Sequence, residues 1–169
     1  MEKMKYLRGY PEETQRQARL LVDNDRLAEV LMTRYALAHD IRTDKALYQY
    51  VSQLKKEFLG NAEAVSKVVF DNKLHVVKHA LGLHTTISRV QGNKLKSKRE
   101  IRISSLFKNV PIEFLKMIAV HELAHFKERE HDRAFYKLCA HMEPNYHQFE
   151  FDLRLYLTHL DVCDVPLWR

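Results

Sequence analysis

The sequence predicts an α+β fold: N-terminal helices, a small and mostly antiparallel sheet, then one strongly apolar helix and C-terminal helices. Three observations carry this. Apolar residues recur at spacings of three and four up to Phe58, the period drops to two from Val65, and the helical period returns after Pro111. A chain of 169 residues and 20.1 kDa, 46% apolar and 30% charged, has the size and composition of one globular domain. With only 4 Gly and 4 Pro, it leaves little room for long linkers or a loop-rich β fold. The expectation is a single domain over 1–169, with a helical part at 1–64, a basic sheet part at 65–108, and an apolar helix with C-terminal helices at 109–169.

Pro11 followed by Glu12 and Glu13 suits a first helical turn, with Ala18, Leu21 and Val22 on its apolar face. Asp25 is a candidate cap for a second helix carrying Leu27, Val30, Leu31 and Tyr35. Thr43 can cap a third, whose stripe is Leu47, Tyr50, Val51, Leu54 and Phe58, with Gly60 just past its end. Turn signals at Asp71-Asn72-Lys73 and Gly92-Asn93 then predict two hairpins or a meander of four strands. In the last strand Ile101 and Ile103 share one face, and Lys94, Lys96, Lys98 and Arg102 the other. Helices resume from Pro111 to Phe126, from Asp132 to Met142, and from Tyr146 to Leu160, broken by Glu143-Pro144-Asn145.

Cys139 and Cys163 have neither zinc-knuckle nor disulfide spacing, the N-terminus lacks an apolar leader, and no run of 18 apolar residues occurs. A cytoplasmic protein without a membrane partner is expected. The chain carries +6 overall, but ten Lys or Arg against two acids between Ser66 and Lys108 give that segment +8, so the rest sums to −2. The basicity belongs to one region, where it is either a solvated face or an anion-binding one.

The chemistry concentrates in "VHELAHFKEREHDRAF", residues 120–135. On a helix His121 and His125 stand one turn apart on one face, about 5.4 Å along the axis, so both imidazoles can reach one Zn²⁺. Glu122 lies about 100° further round, suited to act on water beside the metal as general base. The turns from Phe114 to Val120 are so apolar that this helix must be buried, and burying two imidazoles and a carboxylate without partners would cost several kcal/mol. A catalytic site needs a third ligand; His131, beyond the polar run Lys127–Glu130, is favoured over Glu150 and His147. His39, His75, His79, His84, His141 and His159 lack a partner at ligand spacing and are expected to be surface or satisfied core residues.

The run "VHELAHFKEREHDRAF", followed by "MEPNY", resembles the YgjP-like metallopeptidase family and, more distantly, the WLM and SprT-type zincins. The resemblance spans residues 84–160. It implies His121, His125 and His131 as zinc ligands, Glu122 as catalytic base, and Phe135 and Tyr146 as aromatics packed behind the site. The implied mechanism is metal-assisted hydrolysis, in which Glu122 takes the water's proton and returns it to the leaving group.

Three substrate classes follow. A peptide could pair with an exposed strand, for which Lys94 to Phe107 is the candidate edge. Because the family resemblance includes UTP pyrophosphatases, a nucleotide triphosphate could instead use the basic strands. Nucleic acid is not expected as a partner, since residues 84–104 contain no Phe, Tyr or Trp to stack bases. The motif is chiefly a protease device and no carboxylate cluster for Mg²⁺ is visible, so a zinc metallopeptidase is the first expectation and a UTP pyrophosphatase the alternative. Arg89 and Arg102 are the candidate anion contacts in either case. The N-terminal helices, residues 1–60, are candidates for a segment covering the cleft and holding the site latent.

Overall fold

The computed structural model describes residues 4–74, 83–91 and 94–169, with 83–91 and 94–98 described by their backbone alone. Among the described residues six helices surround a three-stranded sheet: α1 (Glu12–Asp23), α2 (Leu27–Arg34), α3 (Asp44–Leu59), β1 (Val65–Asp71), β2 (Leu83–Gln91), β3 (Lys94–Ser104), α4 (Ile112–Ala124), α5 (Arg133–Met142) and α6 (Tyr146–Cys163). Short 3-10 turns precede α1 and α4. The α+β expectation holds, with each helix near its predicted place.

Local chemistry sets the helix ends. Thr43 caps α3 as expected, its hydroxyl accepting from the Ala46 amide at 3.2 Å, and Gly60 ends that helix at φ +42°. Asp25 does not cap α2. It sits at φ +55° in the left-handed region, and the amides of Asp25 and Arg26 close α1 onto the Val22 and Leu21 carbonyls. A short polar side chain tolerates that conformation, so Asp25 ends one helix instead of starting the next.

The sheet departs from the mostly antiparallel expectation. Its order is β1-β3-β2; β3 runs antiparallel to β2 but parallel to β1, with Val68 beside Ile101 and Phe70 beside Ile103. Alternation tells which residues share a face, not which strand lies beside which. The turn after β1 forms as read, with the Lys73 amide donating to the Asp71 carboxylate at 2.8 Å. Residues 75–82 and the Gly92-Asn93 turn lie outside the described residues, so a fourth strand there is not assigned. β3 pairs on both sides over Arg99–Arg102, while Lys94–Lys98 pair with β2 alone, so the candidate peptide-docking edge Lys94 to Phe107 narrows to Lys94–Lys98.

One cluster of buried side chains runs from Met4 to Trp168. Its centre is α4, where every residue from Phe114 to Ala124 except Lys116 is buried. Tyr35, Tyr156 and Trp168 surround Phe114 with ring centroids 4.9, 6.5 and 5.8 Å away. Helix α3 contributes Leu47, Val51, Leu54 and Leu59 to this core, and Asp44 at its start accepts from the Phe70 amide of β1 at 2.9 Å. Residues 1–60 therefore include core, and removing them to uncover a cleft would remove part of the fold. No described helix is long and apolar enough to cross a membrane.

Two polar contacts inside this core give measurable expectations. Asp152 is fully buried and accepts from the Tyr35 hydroxyl at 2.6 Å, from Arg34 at 2.7 Å and from Gln148 at 3.1 Å, tying α2 to α6. Asp152→Ala leaves the buried phenol unsatisfied and should lower stability by about 2 kcal/mol in urea unfolding. The second is His39, whose Nδ1 accepts from the Ile41 amide at 2.9 Å, which leaves Nε2 to donate to the Phe107 carbonyl at 2.7 Å. The neutral ring uses both nitrogens, and burial holds its pKa below the ordinary 6.5. The unfolded chain then binds a proton that the folded chain refuses, so stability is full above pH 6.5 and falls as the pH drops below it. A thermal melt at pH 5 should lie below that at pH 7, and His39→Gln should flatten the difference.

Candidate metal centre

The two imidazoles of α4 stand where the helix ends. His125 is its C-terminal cap at φ −64°, ψ −11°, after which the amides of Phe126 and Lys127 bond three residues back at 3.0 and 3.1 Å. The polar run Lys127–Glu130 has nothing to bury, and the chain folds back so that the Glu128 carbonyl meets His125 Nδ1 at 3.0 Å. Five residues later a new helix starts. Asp132 caps α5 by accepting from the Phe135 amide at 3.0 Å, which fixes the position of His131 immediately before it.

The result is convergence. His131 Nε2 lies 3.0 Å from His125 Nε2 and 3.1 Å from His121 Nε2. Phe135, wholly buried, packs against all three rings with centroid separations of 4.8, 4.6 and 4.9 Å to His131, His125 and His121. Glu122, beside His121 on α4, is 0% exposed. Behind the rings, Tyr146 at the start of α6 places its hydroxyl 2.8 Å from His121 Nδ1. Burial pushes the Tyr146 phenol well above its ordinary range and the Cys139 thiol up to about 12.

These three histidines fit a divalent ion. A carbonyl only accepts, so His125 Nδ1 must carry the hydrogen that reaches Glu128, and the Nε2 of the neutral ring then presents a bare lone pair. The Nε2 of His131 stands 3.0 Å from that nitrogen and 3.1 Å from His121 Nε2, so with His131 and His121 also as Nδ1–H forms the three lone pairs would meet on one cation. The edge of a tetrahedron of nitrogens around Zn²⁺ at ~2.0 to 2.1 Å is ~3.3 Å, close to the separations seen. Imidazole donors suit borderline ions such as Zn²⁺ over hard ones.

Other candidates fall elsewhere. Glu150 pairs with Arg154 at 3.2 Å, and His147 packs on the rings of Tyr136 and Tyr146 at 5.7 and 5.4 Å; neither is in the convergent group. Among the remaining histidines, His39 and His159 bond backbone carbonyls, and His141 is exposed beside Phe58. The side chains of His75, His79 and His84 lie outside the described residues.

Of the arginines, Arg89 is described by backbone alone, opposite Lys96 in the β2–β3 pair. Arg102 holds Asp71 at 2.9 Å and lies 3.7 Å from Glu100. Together with the Lys73 amide it keeps the Asp71 carboxyl below its ordinary range. The arginine that reaches the histidine helix is Arg99. It donates to the His125 carbonyl at 3.3 Å, lies 4.8 Å over the Phe126 ring, and pairs with Glu63 at 2.7 Å. A signal for it existed, since Arg99 has the same parity along β3 as the buried Ile101 and Ile103.

The YgjP-like metallopeptidase domain matches residues 52–156, which contain the whole histidine cluster, Phe135 and Tyr146. This chain belongs to the YgjP-like family. It is 58% identical over 162 residues to a protein of Escherichia coli (strain K12) named UTP pyrophosphatase, covering 96% of this chain and 97% of the relative. No solved structure matches it. The YgjP-like family description and the name of the relative both denote hydrolases.

Proposed function

We propose that this chain is a zinc-dependent nucleoside triphosphate pyrophosphatase acting on UTP, with His121, His125 and His131 holding the metal and Glu122 as general base. The observation that carries the substrate is the 58% identity, across nearly the full length of both chains, to a protein named UTP pyrophosphatase. The net +8 between Ser66 and Lys108, in the segment leading into the histidine helix, suits a polyanionic substrate. Cytoplasmic residence is part of this reading, in keeping with two free cysteines.

When bound, a divalent ion on the three Nε2 atoms supplies Lewis acidity toward a phosphoryl oxygen and toward water. The protein does the rest. The Glu128 carbonyl orients His125, Phe135 closes the inner side of the cluster to water, and His131, the most exposed of the three, leaves the outer side open to substrate. Glu122 takes a proton from the attacking water as the new P–O bond forms at one phosphorus. The electron pair of the broken phosphoanhydride bond goes to pyrophosphate, which leaves as UMP is released. Glu122 returns its proton to the leaving group or to solvent.

A second reading, cleavage of peptides, is favoured by the family's metallopeptidase description. In that case an extended peptide would pair with an unpaired side of the described sheet, along β2 (Leu83–Gln91), β1 (Val65–Asp71) or Lys94–Lys98 of β3. The test is to incubate zinc-loaded protein with UTP and with unfolded casein, each beside Glu122→Gln. Pyrophosphate release by the wild type alone supports the first reading. Casein cleavage without pyrophosphate release replaces it with the second, and inertness toward both removes the two together.

A further inference from the structure

Arg99 is anchored through both its backbone and its side chain. It has the parity of Ile101 and Ile103 along β3, so it leaves the sheet on the face that packs against the core. Beside it β1 is irregular: Val65 lies opposite Arg99 and Lys67 opposite Glu100, so Ser66 is an extra residue. Such bulges are rare between parallel strands, and they bend a strand and re-aim the side chains around them. At this one the Ser66 hydroxyl donates to the Arg99 carbonyl at 2.9 Å, and Glu63, just before β1, accepts from Arg99 Nε at 2.7 Å.

The guanidinium carbon lies 4.8 Å over the Phe126 ring, and Nη1 donates to the His125 carbonyl at 3.3 Å. One planar fork thus meets a carboxylate, an aromatic face and the end of α4, a combination that a single ammonium does not reproduce. The carbonyl end of a helix is the negative pole of its dipole, which favours a fixed cation there. That end is where two of the three histidines take their positions. His125 carries one ring, and its Nδ1 meets the Glu128 carbonyl at 3.0 Å, in the turn through which the chain returns to His131. The same turn is stitched by the amides of Phe126, Lys127 and Glu128, which bond the Leu123 and Ala124 carbonyls at 3.0, 3.1 and 2.9 Å.

We propose that Arg99 is a positioning residue of the metal centre: clamped by Glu63 and stacked on Phe126, it pins the His125 carbonyl and so fixes the turn that sets His125 and His131 relative to each other. The bulge at Ser66 and the loop carrying Glu63 then belong to the support of the site, although both lie far from it in sequence. This rests on the metal reading above, but its first consequence needs no metal.

In the metal-free protein, Arg99→Met, which keeps an apolar stem and loses the fork, should speed hydrogen exchange at the Phe126, Lys127 and Glu128 amides about tenfold or more, the factor a charge-assisted hydrogen bond corresponds to. The Leu47 amide, bonded to the Thr43 carbonyl in α3, should exchange as in the wild type. The same variant should weaken zinc about 10- to 100-fold in chelator competition, the range for a lost outer partner. Arg99→Lys should restore only part of either readout, and Glu63→Gln should move both in the direction of Arg99→Met by less, since the Glu63 carboxylate is half exposed. Unchanged exchange at the three amides overturns the proposal. So does a zinc affinity within about twofold of wild type, whether exchange also quickens at Leu47, which would make Arg99 a support of the fold alone, or the KM for UTP rises, which would make it a substrate contact. Should Arg99→Met fail to fold, wild-type exchange and zinc affinity in Glu63→Gln overturn the clamp. A wild type that binds no zinc sinks the metal reading, while the exchange rates still decide whether Arg99 holds the helix end.

Discussion

Glu122→Gln is expected to lower UTP hydrolysis by about 10²- to 10⁴-fold while leaving zinc content at the wild-type level, because a general base contributes about that much and this carboxylate is not one of the convergent ligand atoms. Glutamine matches glutamate in shape, which matters at a position that is 0% exposed: an alanine there would open a cavity and confuse lost chemistry with lost packing. Pyrophosphate release per metal-loaded chain is the readout. A variant that keeps wild-type turnover would remove Glu122 from the mechanism, and one that loses its metal would make it a ligand instead.

His125→Ala is expected to lose metal and turnover together. It removes one of three nitrogens, and with it the hydrogen bond that folds the Glu128 carbonyl back over the helix end. The zinc affinity should fall by more than the roughly 10- to 100-fold that an outer partner costs. Metal that binds only the folded chain stabilises it by about 4 kcal/mol at 1,000 times its dissociation constant. Adding zinc should therefore raise the melting temperature of the wild type and leave that of His125→Ala nearly unchanged. Equal zinc responses in the two proteins would place the ion elsewhere.

The histidine site was legible because its spacing is local. Residues 121 and 125 need only helix geometry to share a face, and Asp132 after the polar run signals a new helix start that brings His131 back. Helix order was legible for a similar reason: Thr43, Gly60, Pro111 and Asp132 act within one turn of themselves. What depends on remote partners was not. The parallel pairing of β1 with β3 joins residues more than thirty apart and leaves no mark in an alternating pattern, and Asp25 ends α1 instead of capping α2 because tertiary direction outweighed its propensity. Within the basic run, Arg102 is held by Asp71 and Arg99 touches the carbonyl of His125, contacts that charge alone does not reveal. The hydroxyl of Tyr146 lies 25 positions from His121, and only folding sets the two 2.8 Å apart.

Metal content tests the central claim most directly. Wild-type protein reconstituted with zinc, freed of loosely held ions by dialysis and assayed by elemental analysis should carry about one ion per chain, and a His121, His125, His131 triple alanine variant essentially none. A folded wild type that retains less than about a tenth of an equivalent, or a triple variant that retains as much as the wild type, would contradict the account.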